Sequence, residues 1–301
     1  MTMPPENART WEHRGIRVLY DPAMGCWRQD PLPPQESLQA LYRSRYFQAL
    51  KPGWDKDQDE DRENLERQYE DKRLNAAELL GPGGGRRILD VGCGNGRLLR
   101  YFADRGWTAV GIEPSPFAPA VRERFGIDCR QQFYEDVVLA PHETVDLCHV
   151  GDLLEHVLDP HALLAKCRTF LKPGGILCLD QGLDLNPLRL AALDHLGLSP
   201  WWIVPEHLTY WACENVEAAL GRAGFAVLRK ESDFPIDLFL LMGLDFVRDP
   251  ARGKEAHRMR VEFERALENT GRSDLRRELF RRLASLSLGR SIRFYCRESP
   301  R

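Results

Sequence analysis

The chain has no long apolar run, no C-x-x-C pair, no internal repeat and no excess of charge of one sign. Each absence excludes something. Without a stretch of about eighteen apolar residues no membrane-spanning helix is expected. The polar opening from Met1 to Arg14 lacks the apolar centre of a signal peptide. A net charge of -3 offers no basic track for nucleic acid or for an anionic membrane surface. The eight cysteines stand singly at 26, 93, 129, 148, 167, 178, 213 and 296. Those inside apolar runs (Cys148, Cys178, Cys296) read as small buried hydrophobes, which suits a reducing cytoplasm, and no metal site is expected. What remains is ordinary: 43% hydrophobic and 29% charged over 301 residues, enough for one large domain with an appendage.

The distinctive stretch runs from Arg87 to Leu99. A short apolar strand, Arg87-Ile88-Leu89-Asp90-Val91, breaks into a turn with glycines at 92, 94 and 96, and a helical pattern follows through Leu98, Leu99, Tyr101 and Phe102. Strand, tight loop and helix N-terminus are how an open α/β sheet offers backbone N–H groups to a nucleotide-like ligand. The glycines are one residue tighter than G-x-G-x-x-G. Asp90 beside the turn would repel a pyrophosphate, but it suits a ligand carrying a sulfonium and an ammonium. A second strand, Thr108 to Ile112, ends in Glu113. An acid at that tip can accept bonds from both hydroxyls of a ribose.

With these residues in view, the sequence resembles the class I S-adenosylmethionine methyltransferases, whose first motif is a strand ending in L-D-x-G-x-G-x-G. Two further segments carry the likeness. Leu154-Glu155-His156-Val157-Leu158-Asp159-Pro160 resembles the L-E-H-V-x-D-P segment of the ubiquinone-biosynthesis group, and Arg168 to Leu177 is similar to its R-x-x-L-K-P-G-G-x-L. The resemblance implies a Rossmann-like α/β fold with a seven-stranded, mostly parallel sheet whose last strand runs antiparallel. It divides the chain into an N-terminal helical cap or accessory segment (1–80), whose residue pattern gives one short strand at Ile16 to Tyr20 before helix from Ser37, a cofactor-binding core (81–232), a helical insertion (233–288) and the last core strand (289–301). Residues 182–202 read as irregular. The cofactor-facing set is Asp90, Gly92, Cys93, Gly94, Gly96, Glu113, Pro114, Phe133 and Gly151. Phe133 enters because the usual acid after the third strand is missing, which leaves a backbone N–H and ring packing to hold the adenine.

The expected chemistry is methyl transfer to a small-molecule hydroxyl, giving S-adenosylhomocysteine. It asks for in-line alignment and for a general base. His207, in a Pro205-Glu206-His207-Leu208 segment similar to one that relatives carry over the substrate side, is the first candidate; Asp152 and His156 follow. Trp201, Trp202 and Tyr210 are the expected substrate walls. The partners implied are a small molecule and, at most, a second copy of the chain, with no nucleic acid and no membrane. Alternatives are a non-catalytic subunit that binds S-adenosylmethionine or S-adenosylhomocysteine for a partner enzyme, and methylation of nitrogen or carbon.

Overall fold

The computed structural model describes residues 9–300; the first eight residues of the expected cap and polar opening, and the final arginine, lie outside the described residues. The chain begins as an antiparallel meander, β1 (Trp11–His13), β2 (Ile16–Asp21) and β3 (Cys26–Asp30). Arg14 and Gly15, both at positive φ, close the first hairpin in the two-residue turn that matches strand twist. The short strand expected at Ile16 to Tyr20 is β2, and β1 and β3 beside it were not expected. Helix starts only at α1 (Gln35–Ala40), widens into a π-helical stretch (Leu41–Leu50), and continues as α2 (Trp54–Glu60) and α3 (Arg62–Leu80). Gly81, at positive φ, and Pro82, which has no N–H to donate, stop α3.

From there strand and helix alternate. The order is β4 (Arg87–Val91), α4 (Arg97–Ala103), β5 (Thr108–Ile112), α5 (Phe117–Phe125), β6 (Asp128–Arg130), β7 (Val145–Gly151), α6 (Pro160–Phe170) and β8 (Leu171–Gly182). Next comes α7 (Pro187–Leu196), a helix in the stretch expected to be irregular. The local signals explain it: the Asn186 side chain accepts from the Arg189 N–H, Pro187 opens the first turn and Gly197 ends the helix in the left-handed region. The remainder is β9 (Thr209–Tyr210), α8 (Cys213–Arg222), β10 (Phe225–Ser232), α9 (Asp237–Leu241), α10 (Pro250–Asn269), α11 (Ser273–Ser285) and β11 (Ser291–Glu298).

Seven strands form the main sheet in the order β10-β11-β8-β7-β4-β5-β6, all parallel except β11, which runs antiparallel to both neighbours. The strand order reverses between β4 and β7. In open parallel sheets ligands bind beyond the carboxyl ends at such a point. Leu89, Leu177 and Leu179 are fully buried in the sheet, each contributing roughly 1.5–3 kcal/mol of transfer free energy. The meander takes β9 onto β3 as a separate four-stranded sheet, with Trp27 opposite Tyr210. That pairing ties the start of the chain to the segment after β8. The insertion packs its own small core of Ile236, Phe239 and Ala256.

Candidate active site

The glycine turn sits at the carboxyl end of β4, with Gly92, Gly94 and Gly96 all at positive φ. A Cβ on Gly94 would lie 2.8 Å from the Trp54 ring, so α2 closes down on the turn. Gly96 serves a different end from the one expected. A Cβ there would strike Val121 at 2.7 Å; it lets α4 and α5 pack, and it does not border the cavity. Glu113, at the end of β5, is buried, and burial pushes its carboxyl up. Two backbone donors oppose that: the Gly94 N–H donates to Oε2 and the Ser115 N–H to Oε1, each at 2.9 Å. The acid therefore fixes the glycine turn as well as facing the cleft.

Two cavities flank this turn. The smaller, about 320 Å³, is lined by Gly92, Glu113, Pro114, Phe133 and Gly151 and is roofed by Tyr42 and Tyr46. The larger, about 800 Å³, holds Asp90, Cys93, Gly94, Trp201, Trp202 and His207. Gly92, Gly151, Asp152 and His156 border both. An acid and an aromatic residue at the smaller cavity suit a nucleoside. Gly92 and Gly151, which carry no side chain and border both cavities, lie where a chain of atoms would pass into the larger one. The residues thus fit S-adenosylmethionine laid across both.

The three expected base candidates meet at the junction. Asp152 has φ +47°, an uncommon value for a residue with a side chain, fixed by its N–H donating to the Asp180 carbonyl at 3.1 Å. The His156 Nδ1–H donates to the Glu206 carbonyl at 2.8 Å, so Nε2 keeps the lone pair. His207 packs edge-on against it, ring centroids 5.0 Å apart. Burial pushes both imidazoles down, His207 further, with the neighbouring His156 adding to the effect. Burial raises the Asp152 and Glu155 carboxyls to about 7, with repulsion from Asp180 on both and from Glu155 on Asp152. Asp184, 3.9 Å from His207, also rises to about 7. Asp180 is the exception: burial alone would raise it, but Lys72 at 2.8 Å and Arg293 outweigh that and hold it at about 2.

Trp201 and Trp202 line the larger cavity. Tyr210 does not. It is fully buried in β9, its hydroxyl donating to the Val204 carbonyl, because pairing with β3 turns it into the small sheet's core. The sequence reading missed four contributors: Tyr46 and Trp54 from the N-terminal segment, His149 on β7, and the insertion, which adds Phe234, Phe246 and Arg260 to the larger cavity. The four-residue spacing of Tyr42 and Tyr46 is the sequence signal for the first of these. No metal site was expected, yet Glu155, His156 and His207 each offer a ligand atom within 4.8 Å of the others, a donor set suited to a divalent cation.

Sheet order, switch-point cleft and paired cavities define a nucleoside-cofactor α/β enzyme. The chain belongs to the methyltransferase-domain family, whose model matches residues 62–230, and S-adenosylmethionine is the cofactor of that domain. It is 39% identical over 113 residues to a ubiquinone biosynthesis O-methyltransferase of Dinoroseobacter shibae (36% of this chain, 45% of that protein). It is 32% identical over 156 residues to the protein so named from Alkalilimnicola ehrlichii (46% and 63%). The chain thus spans about half the length of the curated relatives it matches. The fold is shared with the Burkholderia thailandensis 1,6-didemethyltoxoflavin-N1-methyltransferase, at TM-score 0.52 and 12% identity, over 97% of this chain and 100% of that one. No helix among the described residues is long and apolar enough to cross a membrane.

Proposed function

We propose that the protein transfers a methyl group from S-adenosylmethionine to a hydroxyl of a small molecule, releasing S-adenosylhomocysteine, and acts in the cytoplasm as a monomer or homodimer. The cofactor supplies a methyl already activated on a sulfonium. The chain's residues align, exclude water and accept a proton. The observation that carries the reading is the junction between the cavities, where His156, with its lone pair on Nε2, stands between the proposed nucleoside pocket and the wider acceptor space. His156 Nε2 takes the hydroxyl proton, and His207 packs its ring in position. Glu113, Pro114 and Phe133 hold the nucleoside, while Asp90, Cys93 and the turn hold its amino-acid end. Trp201 and Trp202 flank the acceptor. The names of the curated relatives support a hydroxyl as acceptor.

The test incubates the protein with S-adenosylmethionine and a panel of phenols, catechols and sugars. S-adenosylhomocysteine is measured, and each product is characterised by mass and by the position of the new methyl. Equal amounts of S-adenosylhomocysteine and an O-methylated product are expected. Cofactor binding without turnover, with a partner retained on pull-down, would establish the non-catalytic alternative; methyl on nitrogen or carbon would replace the acceptor class.

The cluster of Glu155, His156 and His207 favours a second reading of the same step. A hydroxyl bound to a divalent cation held by these three would lose its proton more readily, with the imidazoles as ligands. Dialysis against a chelator separates the two. Activity lost and restored by a divalent cation supports the cation; activity unchanged supports His156 as base.

A further inference from the structure

We propose that His149 binds the cofactor: locked in place by Asp90, it presents Nε2 to the α-ammonium group at the amino-acid end of S-adenosylmethionine. The inference rests on the cofactor assignment and adds a residue to it.

Asp90 and His149 are register partners on the adjacent parallel strands β4 and β7, at the carboxyl ends where the sheet opens. Their side chains meet, with Nδ1 and Oδ1 2.6 Å apart. Both are deeply buried, with side-chain exposures of 8% and 6%. A carboxylate can only accept here, so a proton lies on Nδ1, and in the neutral tautomer of the ring that leaves the lone pair on Nε2. That nitrogen is buried and has no partner among the described residues. A buried polar atom left unpaired costs free energy, and such atoms in folded proteins generally find a partner.

The surroundings say which partner. His149 and Asp90 both line the larger cavity, next to the glycine turn. A Cβ at position 151 would lie 2.8 Å from His149 Cε1 and 3.3 Å from Nε2. Glycine there leaves that side of the ring free of a side chain. Asp180 and Lys72, which line the same cavity, are already paired with each other at 2.8 Å. A ligand reaching Nε2 therefore meets an acceptor with a carboxylate behind it. An ammonium satisfies that site; a carboxylate or a bare sulfur does not.

The experiment is calorimetric titration with two ligands, S-adenosylhomocysteine and 5′-methylthioadenosine, which shares the nucleoside and sulfur but has no amino-acid end. His149→Phe keeps a ring and removes the lone pair. His149→Gln keeps an N–H for Asp90 and offers an oxygen to the ammonium. The expected affinities for S-adenosylhomocysteine fall at least tenfold in the Phe variant and recover in part in the Gln variant, while 5′-methylthioadenosine changes by less than twofold in both. Unchanged S-adenosylhomocysteine affinity, or equal losses for the two ligands, overturns the proposal. If the Phe variant does not fold, the Gln variant decides alone, by whether its loss is confined to S-adenosylhomocysteine. A wild-type protein that binds neither ligand fails the cofactor assignment itself, a result distinct from either.

Discussion

His156 and His207 stand edge to face at 5.0 Å, brought together because the Glu206 carbonyl accepts the His156 Nδ1–H while the next residue, His207, turns its ring onto the same imidazole. If His156 is the base, His156→Ala lowers kcat by about 100-fold or more, the usual weight of general-base catalysis, with cofactor affinity within a few-fold of wild type. His207→Ala, which removes only the packing partner, costs less. Steady-state kinetics beside calorimetry separates the two. Equal losses in kcat would instead favour the shared cation.

The pH dependence follows from the direction of the His156 shift. Burial favours the neutral ring, so its titration lies below the ordinary 6.5. The base works only when neutral. The rate therefore falls as pH drops through that lowered value and is flat, as far as this group is concerned, above about 6.5. A kcat profile whose acid limb is centred above 7 would contradict the assignment.

Glu113 holds the glycine turn through the Gly94 N–H and faces the smaller cavity. Glu113→Gln replaces a charged acceptor by a neutral one, a loss of about 1.5–3 kcal/mol for bonds to a charged group, or roughly ten- to a hundredfold in cofactor affinity. Unchanged binding of both S-adenosylhomocysteine and 5′-methylthioadenosine would remove Glu113 from the nucleoside site.

Lys72 and Asp180 form a buried pair between α3 and β8. Removing one partner strands the other charge, so Lys72→Met is expected to destabilise by about 3 kcal/mol, read by urea unfolding. The sign with pH is fixed by Asp180, whose folded value is held at about 2, below its ordinary 3.8. Its contribution is complete above about 4 and is lost as pH falls toward 2. The wild-type and Lys72→Met stabilities should therefore converge in strong acid.

Trp201 lies in the wall of the larger cavity, against Trp202, which in turn packs on Trp11 of the meander. Trp201→Ala should raise acceptor KM by about tenfold or more, an aromatic wall being worth about 1–3 kcal/mol of binding, and leave cofactor affinity unchanged. A change confined to the cofactor would remove Trp201 from the acceptor wall.

Local chemistry decided a great deal of this molecule before it folded. The alternation of strand and helix from Arg87 onward, the glycine turn and the acids at positions 90 and 113 were legible, because each depends on neighbours within a few residues, whereas the antiparallel last strand pairs across the sheet and was implied by the family resemblance alone. Residues 11–30 were harder to read. Their strands are short, and their fourth partner is β9, nearly two hundred positions away. Tyr210 had the composition of a pocket residue, but its partner strand turned it inward. The meeting of Glu155 and His156 with His207, of His149 with Asp90, and of the insertion with the cavity all depend on contacts across the sheet or between distant loops. Such contacts are set by the packing of whole elements, and no local pattern of residues encodes them.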